Sequence, residues 1–166
     1  KKQNLKHSEY ATKTMKELFP ENVLNKCAVK IFNYGSSIIA INKGNGKFEI
    51  QKLPPMAQIS CINAIQPIDI NNDGYPDLIL GGNNYGFPPQ FGRLDASYGD
   101  ILLNDHKGGF TRLNYKQTGL EIWGEVRDVK EIATVKKDCI LFLINNEFPA
   151  LYETNEKSKK LWNYTN

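Results

Sequence analysis

Oxygen-bearing side chains alternate with other residues in one short stretch of the chain, residues 69–77. They stand at its first, third, fifth and ninth positions, contributed by Asp69, Asn71, Asp73 and Asp77. Gly74 occupies the sixth position, where a positive φ bends the chain, and the carbonyl of Tyr75 follows. A hard cation such as Ca²⁺ takes about six to eight oxygen ligands, which a tight loop can supply from alternate residues. The spacing therefore predicts a calcium site with ligands Asp69, Asn71, Asp73, Tyr75 and Asp77.

Two other interpretations of residues 69–77 exist. An EF-hand loop begins in the same way, but its twelfth position must be a bidentate Glu, and here it is Leu80. The segment that follows, 78–82, is a short apolar run ending in glycines, which indicates a buried strand and not a helix. The remaining alternative is a turn without metal, because Asp, Asn and Gly dominate turns for their own reasons.

Composition bounds the class of protein. The 166 residues are 40% hydrophobic and 23% charged, which is typical of one globular domain with a real core. The net charge of +3 is spread along the chain, so we expect no nucleic-acid interface, which needs a basic stripe. Since no apolar run is long enough to span a bilayer, we also expect no membrane insertion. The three cysteines lie far apart and predict buried free thiols.

The hydrophobic pattern predicts a mainly β chain behind a short N-terminal helix. The polar segment 1–26 contains the helix, over residues 8–18, which ends before Pro20. From residue 27 the pattern changes to short strands separated by turn signals. The predicted strands are 28–32, 37–42, 47–53, 59–68, 77–82, 99–104, 110–115, 124–134, 139–145 and 150–154. The acidic loop thus connects two strands.

The sequence also repeats itself with a fixed offset. The segment 38–42 with Phe48 matches the segment 100–104 with Phe110, 62 residues later. The segment 77–83 matches 139–145 at the same offset. Self-similarity built of short strands indicates a repeat architecture such as a β-propeller, whose blades each contain four strands.

The stretch 69–78 resembles the calcium loop of FG-GAP/VCBS repeats, the blades of integrin-α-like β-propellers. Other segments are similar to the C-terminal part of UnbV/ASPIC-like bacterial cell-envelope proteins, and together they cover about residues 36 to 146. These segments are 42–48, 53–60, 92–99 and 124–127. The resemblance implies two to three antiparallel four-stranded blades, about 27–58, 59–116 and 117–166. It also implies that the first, third, fifth and ninth loop residues bind Ca²⁺.

On this basis we expect a calcium-stabilised binding or scaffold segment of an exported protein, serving adhesion or protein assembly. A closed propeller has about four blades or more, so the partner would be the remaining blades of a larger propeller or another protein. The expected location is the cell envelope or the extracellular space. The first residues lack the apolar core of a signal peptide, so we expect that the export signal is not in this chain.

Two alternative functions use other residues. The segment 84–92 carries Tyr85, Phe87 and Phe91 on a proline-stiffened loop, which could stack on sugars in a glycan-binding module. A glycoside hydrolase would need an acidic pair, which Asp95 and Asp100 could form with the carboxylates of the predicted calcium loop. Since no motif of nucleophilic, metal-dependent or nucleotide chemistry occurs, we expect no enzyme.

Overall fold

The chain divides into two compact units, residues 1–35 and residues 36–166. The structure, a computed structural model, describes residues 6–133, 138–155 and 160–163. The first five residues of the predicted N-terminal segment, and parts of the last predicted blade, lie outside the described residues. The first unit holds three short helices, α1 (His7–Ala11), α2 (Met15–Leu18) and α3 (Glu21–Leu24).

Two predictions for the first unit are wrong. The predicted helix over 8–18 is interrupted between α1 and α2, because Thr14 starts a new helix. The Glu17 carboxylate accepts hydrogen bonds from the Thr14 backbone N–H at 2.7 Å and from its hydroxyl at 2.8 Å, forming a capping box. The segment 28–32 is not a strand, although its composition favours one. A strand needs a neighbour for its backbone groups, and among the described residues this segment pairs with none.

The second unit is mainly β, as predicted, and its described strands form three antiparallel sheets. A two-stranded sheet contains β1 (Ile38–Asn42) and β2 (Phe48–Lys52). The first four-stranded sheet contains β3 (Ile62–Ile68), β4 (Asp77–Gly82), β5 (Asp100–Asn104) and β6 (Phe110–Leu113). The second contains β7 (Val126–Ala133), β8 (Asp138–Ile144), β9 (Ala150–Asn155) and β10 (Lys160–Asn163). Strands that follow each other in sequence are neighbours in every sheet.

The sheets share details of register. In the two-stranded sheet Asn42 pairs with Phe48, and in the first four-stranded sheet Asn104 pairs with Phe110. Each four-stranded sheet has a β-bulge near the start of its first strand, between Ile62 and Ala64 in β3 and between Val126 and Asp128 in β7. A short helix, α4 (Tyr115–Thr118), follows β6 and leads towards β7.

Strand β4 is buried on both faces, since alternate residues of a strand point to opposite sides of its sheet. Ile79 and its register partner Ile101 face the second four-stranded sheet and form the main core with Val129 and Phe142. The opposite face carries a smaller core, made of Leu53, Ala57, Leu80 and Leu102. The first four-stranded sheet is therefore the middle layer of this unit.

The cysteine prediction is correct for one position only. Cys139 on β8 is buried, Cys61 is half-buried, and Cys27 is exposed and free. Cys27 lies after α3 in the first unit, where its thiol donates a hydrogen bond to the Val23 carbonyl at 3.4 Å. The apolar residues that follow it in sequence suggested a buried strand, and that strand does not form.

Candidate metal site and aromatic cleft

The acidic loop connects the end of β3 to the start of β4. Its carboxylates hold the turn together by accepting backbone N–H groups. Asp69 accepts from the N–H of Asp73 at 3.0 Å and from that of Gly74 at 2.7 Å, and Asp73 accepts from the N–H of Tyr75 at 2.9 Å. Gly74 has a φ of +86°, as its position in the spacing requires. The loop conformation thus depends on the predicted side-chain ligands even without an ion.

Asp77 lies below the loop and is fully buried. Its Oδ2 accepts the N–H of Ile70 at 3.2 Å and its Oδ1 accepts the N–H of Asn104 at 2.8 Å. Burial raises the pKa of this carboxyl group, and the negative charges of Asp73 and Asp69 raise it further. The folded environment of Asp77 therefore favours its protonated, neutral form.

His106, from the turn between β5 and β6, also meets the loop. Its Nε2 lies 2.8 Å from the Asp73 Oδ2, and its ring stacks on Tyr75 with centroids 4.1 Å apart. The hydrogen bond from His106 is the largest cause of the lowered pKa of Asp73. The ligand set predicted from the sequence did not include His106. In a sequential antiparallel sheet, however, the turn from β5 to β6 lies at the same end as the turn from β3 to β4.

The predicted ligands of the acidic loop have the right chemistry for a calcium ion. The four predicted side chains offer oxygen atoms, the ligand type that Ca²⁺ prefers. At present the Asn71 amide donates to the Asp73 carboxylate at 2.8 Å, and among the described residues no group of three or more His, Cys, Asp and Glu side chains is arranged to hold a metal. Binding would therefore exchange hydrogen bonds of Asp73 for contacts with the ion.

The three aromatic residues of the predicted loop lie in two different environments. Asn84 and Leu94 form a two-residue bridge, with N–H to carbonyl distances of 2.8 Å and 3.0 Å, so Tyr85 and Arg93 lie side by side. The guanidinium carbon of Arg93 lies 4.8 Å from the centre of the Tyr85 ring. Tyr85 lines a cavity of about 520 Å³, whereas Phe87 and Phe91 are exposed and do not line it.

The wall of this cavity opposite the loop contains residues that sequence reasoning missed, among them Trp123, Glu147 and Phe148. They follow β6 and β8 in two separate connections, so only the packing of the two four-stranded sheets brings them to Tyr85. A signal existed, because a large aromatic residue occurs in each connection beside a turn residue, Gly124 or Pro149.

The acidic candidate Asp100 is part of the sheet and not of this cavity. It is buried, and its carboxylate is bound by the Nε of Arg112. Burial raises its pKa, and Arg112 opposes that effect. This contact gives Asp100 a structural role in pairing β5 with β6.

No described helix is both long and apolar enough to cross a membrane. No protein-family model matches the chain, and neither curated proteins nor solved structures match it.

Proposed function

We propose that residues 36–166 form a calcium-stabilised segment of a β-propeller that serves as a binding or scaffold module of an exported protein. The observation that carries the proposal is the environment of Asp77. A buried carboxylate stands under a turn that holds two further carboxylates, and its pKa is raised by burial and by their charge. The positive charge of a divalent cation in the loop would offset that penalty.

The ion would be held by the side-chain oxygens of Asp69, Asn71, Asp73 and Asp77 and by the carbonyl of Tyr75. When bound, Ca²⁺ supplies the positive charge that offsets the mutual repulsion of the three carboxylates. Because Asp77 also accepts a hydrogen bond from β5, an ion at the loop would fix the start of β4 and the end of β5 together. The role of the metal in this proposal is structural.

The propeller part of the proposal is supported by the strand order. Both four-stranded sheets are antiparallel and sequential, each has a bulge at the start of its first strand, and they pack face to face, as propeller blades do. The two-stranded sheet has the register of β5 with β6. We propose that further blades, from a longer chain or another protein, complete the ring. Export to the cell envelope or beyond belongs to this proposal.

Thermal unfolding tests the calcium site. The protein is stripped with EDTA and melted before and after calcium is restored, beside Asp73→Ala. Calcium at a hundred times its Kd should stabilise the wild type by about 2.7 kcal/mol, and the variant should lose most of that effect. Asp105→Ala is the matched control, because Asp105 closes a neighbouring turn by accepting the N–H groups of Lys107 and Gly109. If calcium left the melting temperature of the wild type unchanged, residues 69–77 would be an ordinary turn without a metal site.

A further inference from the structure

The aromatic cleft, defined by Tyr85, Arg93, Glu121, Trp123, Glu147 and Phe148, lies at the opposite end of β4 from the acidic loop. Three separate connections form its walls, those between β4 and β5, between β6 and β7, and between β8 and β9. Its volume of about 520 Å³ is in the range of small-molecule sites, roughly 300–1,000 Å³. The cleft thus has the size of a binding site and is built by both four-stranded sheets.

Two large aromatic side chains in the cleft contribute little to the core. Trp123 is 66% exposed and Phe148 is 90% exposed. Neither belongs to the clusters of buried residues that hold the sheets together. Exposed aromatic faces that line a concave surface indicate contact with a ligand more than a role in folding.

The backbone holds Trp123 in place from both sides. Before it, the N–H of Ile122 donates to the Tyr98 carbonyl at 2.8 Å. After it, the carbonyl of Gly124 accepts from the buried Asn83 amide at 2.9 Å, and Gly124 has a φ of +113° that favours glycine. The Tyr98 ring meets the Trp123 ring edge-on, with centroids 4.8 Å apart. Trp123 is therefore positioned before any ligand arrives, which reduces the entropy cost of binding.

The charged groups of the cleft suit a ligand that can both donate and accept hydrogen bonds. Arg93 supplies N–H donors from one wall, while Glu121 and Glu147 supply carboxylate acceptors. A cationic ligand would meet Arg93, and an anionic ligand would meet two carboxylates. A neutral polyhydroxylated ligand can use both kinds of group, since every hydroxyl donates and accepts.

We infer that the aromatic cleft binds a neutral saccharide. Trp123 and Phe148 stack on the apolar faces of the sugar rings, and Arg93, Glu121 and Glu147 bind its hydroxyl groups. Of the loop predicted from sequence to bind sugar, only Tyr85 takes part, through its contact with Arg93. The inference does not depend on the calcium site, which lies at the other end of β4.

A glycan array tests the inference with the whole chain. Neutral oligosaccharides of glucose, galactose, mannose and fucose are printed beside sialylated and sulfated glycans and lysine-rich peptides. We expect binding to one or more neutral glycans. Trp123→Ala and Phe148→Ala should each weaken it by about tenfold, as loss of one aromatic contact would.

Phe91→Ala is the matched control, because Phe91 is 75% exposed but lies outside the cleft, and it should leave affinity unchanged. Thermal melts verify that the variants fold, and the exposure of Phe148 makes its truncation harmless to the core. Binding of no neutral glycan, a preference for the charged probes, or full affinity in both cleft variants would overturn the inference. Repeating the array with Asp73→Ala separates this result from a failure of the calcium site.

Discussion

Asn104 donates its backbone N–H to the buried Oδ1 of Asp77 at 2.8 Å, so the end of β5 and the start of β4 share one carboxylate. The Asn104 side chain adds a hydrogen bond to the Pro76 carbonyl at 3.0 Å. Both contacts lie directly beside the acidic loop. The loop is therefore part of the sheet and not an appendage to it, and its electrostatics should be measurable as stability of the fold.

The pH dependence of unfolding measures the environment of Asp77. Burial raises its pKa above the ordinary 3.8, so the folded state holds the proton more tightly than the unfolded chain. This contribution to stability is present below 3.8 and is lost as the pH rises through the raised pKa. In EDTA, Asp77→Asn should therefore cost more free energy of unfolding at about pH 3 than at about pH 7, as measured by urea titration.

Asp105→Asn gives the opposite trend and serves as the control. The N–H of Lys107 is the largest cause that lowers the pKa of Asp105, so its contribution appears above 3.8 and is lost in acid. A cost of Asp77→Asn that grew with pH would contradict a buried environment that favours the protonated form of Asp77.

Asn83 connects three segments around the end of β4. It is buried with a φ of +77°, and its side chain bonds the backbone of Ser97, the hydroxyl of Ser60 and the carbonyl of Gly124. Asn83→Ala should cost about 3 kcal/mol or more, because buried groups lose their hydrogen bonds and alanine resists this φ. Asn83→Gly should recover about 1 kcal/mol of that cost, since only the conformational part is relieved.

Denaturant titration of both variants separates the cost of the lost hydrogen bonds from the conformational cost of the φ angle. Asn146→Ala serves as the comparison. Asn146 has a φ of +58° but is exposed, so its replacement by alanine should cost only the conformational part, about 1 kcal/mol. Equal stabilities of Asn83→Ala and Asn83→Gly would show that the φ angle carries no cost there.

Gly81 sets the distance between the two four-stranded sheets. A Cβ added at this position would fall on the Val126 side chain, at the start of β7. Gly81→Ala should therefore destabilise the protein by about 1–3 kcal/mol through overpacking, as thermal or urea unfolding would measure. Gly35→Ala should change stability little, since a Cβ there meets nothing within 4 Å. If Gly81→Ala left stability unchanged, the two sheets would be able to move apart without loss of stability.

Removing Arg112 alone should cost more stability than neutralising both members of its ion pair with Asp100. Arg112→Met leaves a buried carboxylate without its counter-charge, which typically costs about 3–5 kcal/mol. The double change Arg112→Met with Asp100→Asn should recover part of that loss, because the uncompensated charge is gone. A double-mutant cycle by urea unfolding measures this coupling, and additive effects of the two changes would contradict it.

Strands β1 to β9 of the second unit were predictable because alternating apolar residues and glycine turns determine them locally. β4 was recognisable as a continuous apolar run, and the turn from β1 to β2 by Gly44 and Gly46, which both have positive φ. Contacts between separate connections were not predictable. The contact of His106 with Asp73 depends on sheet order, and the presence of Trp123 and Tyr85 in one cleft depends on how two sheets pack. The segment 28–32 has strand-like composition, but composition does not provide a neighbouring strand.

The burial of β4 on both faces also predicts the order in which the strands exchange their amide hydrogens. Solvent reaches the amides of β4 only when both cores open, so its amide hydrogens should exchange near the rate of global unfolding. The two-stranded sheet has exposed Phe48 and Ile50 side chains and no buried residue in either strand, so its amides should exchange early. The acidic loop and the aromatic cleft lie at the two ends of the strand that we expect to exchange most slowly, so each is anchored on one side to the most protected part of this unit.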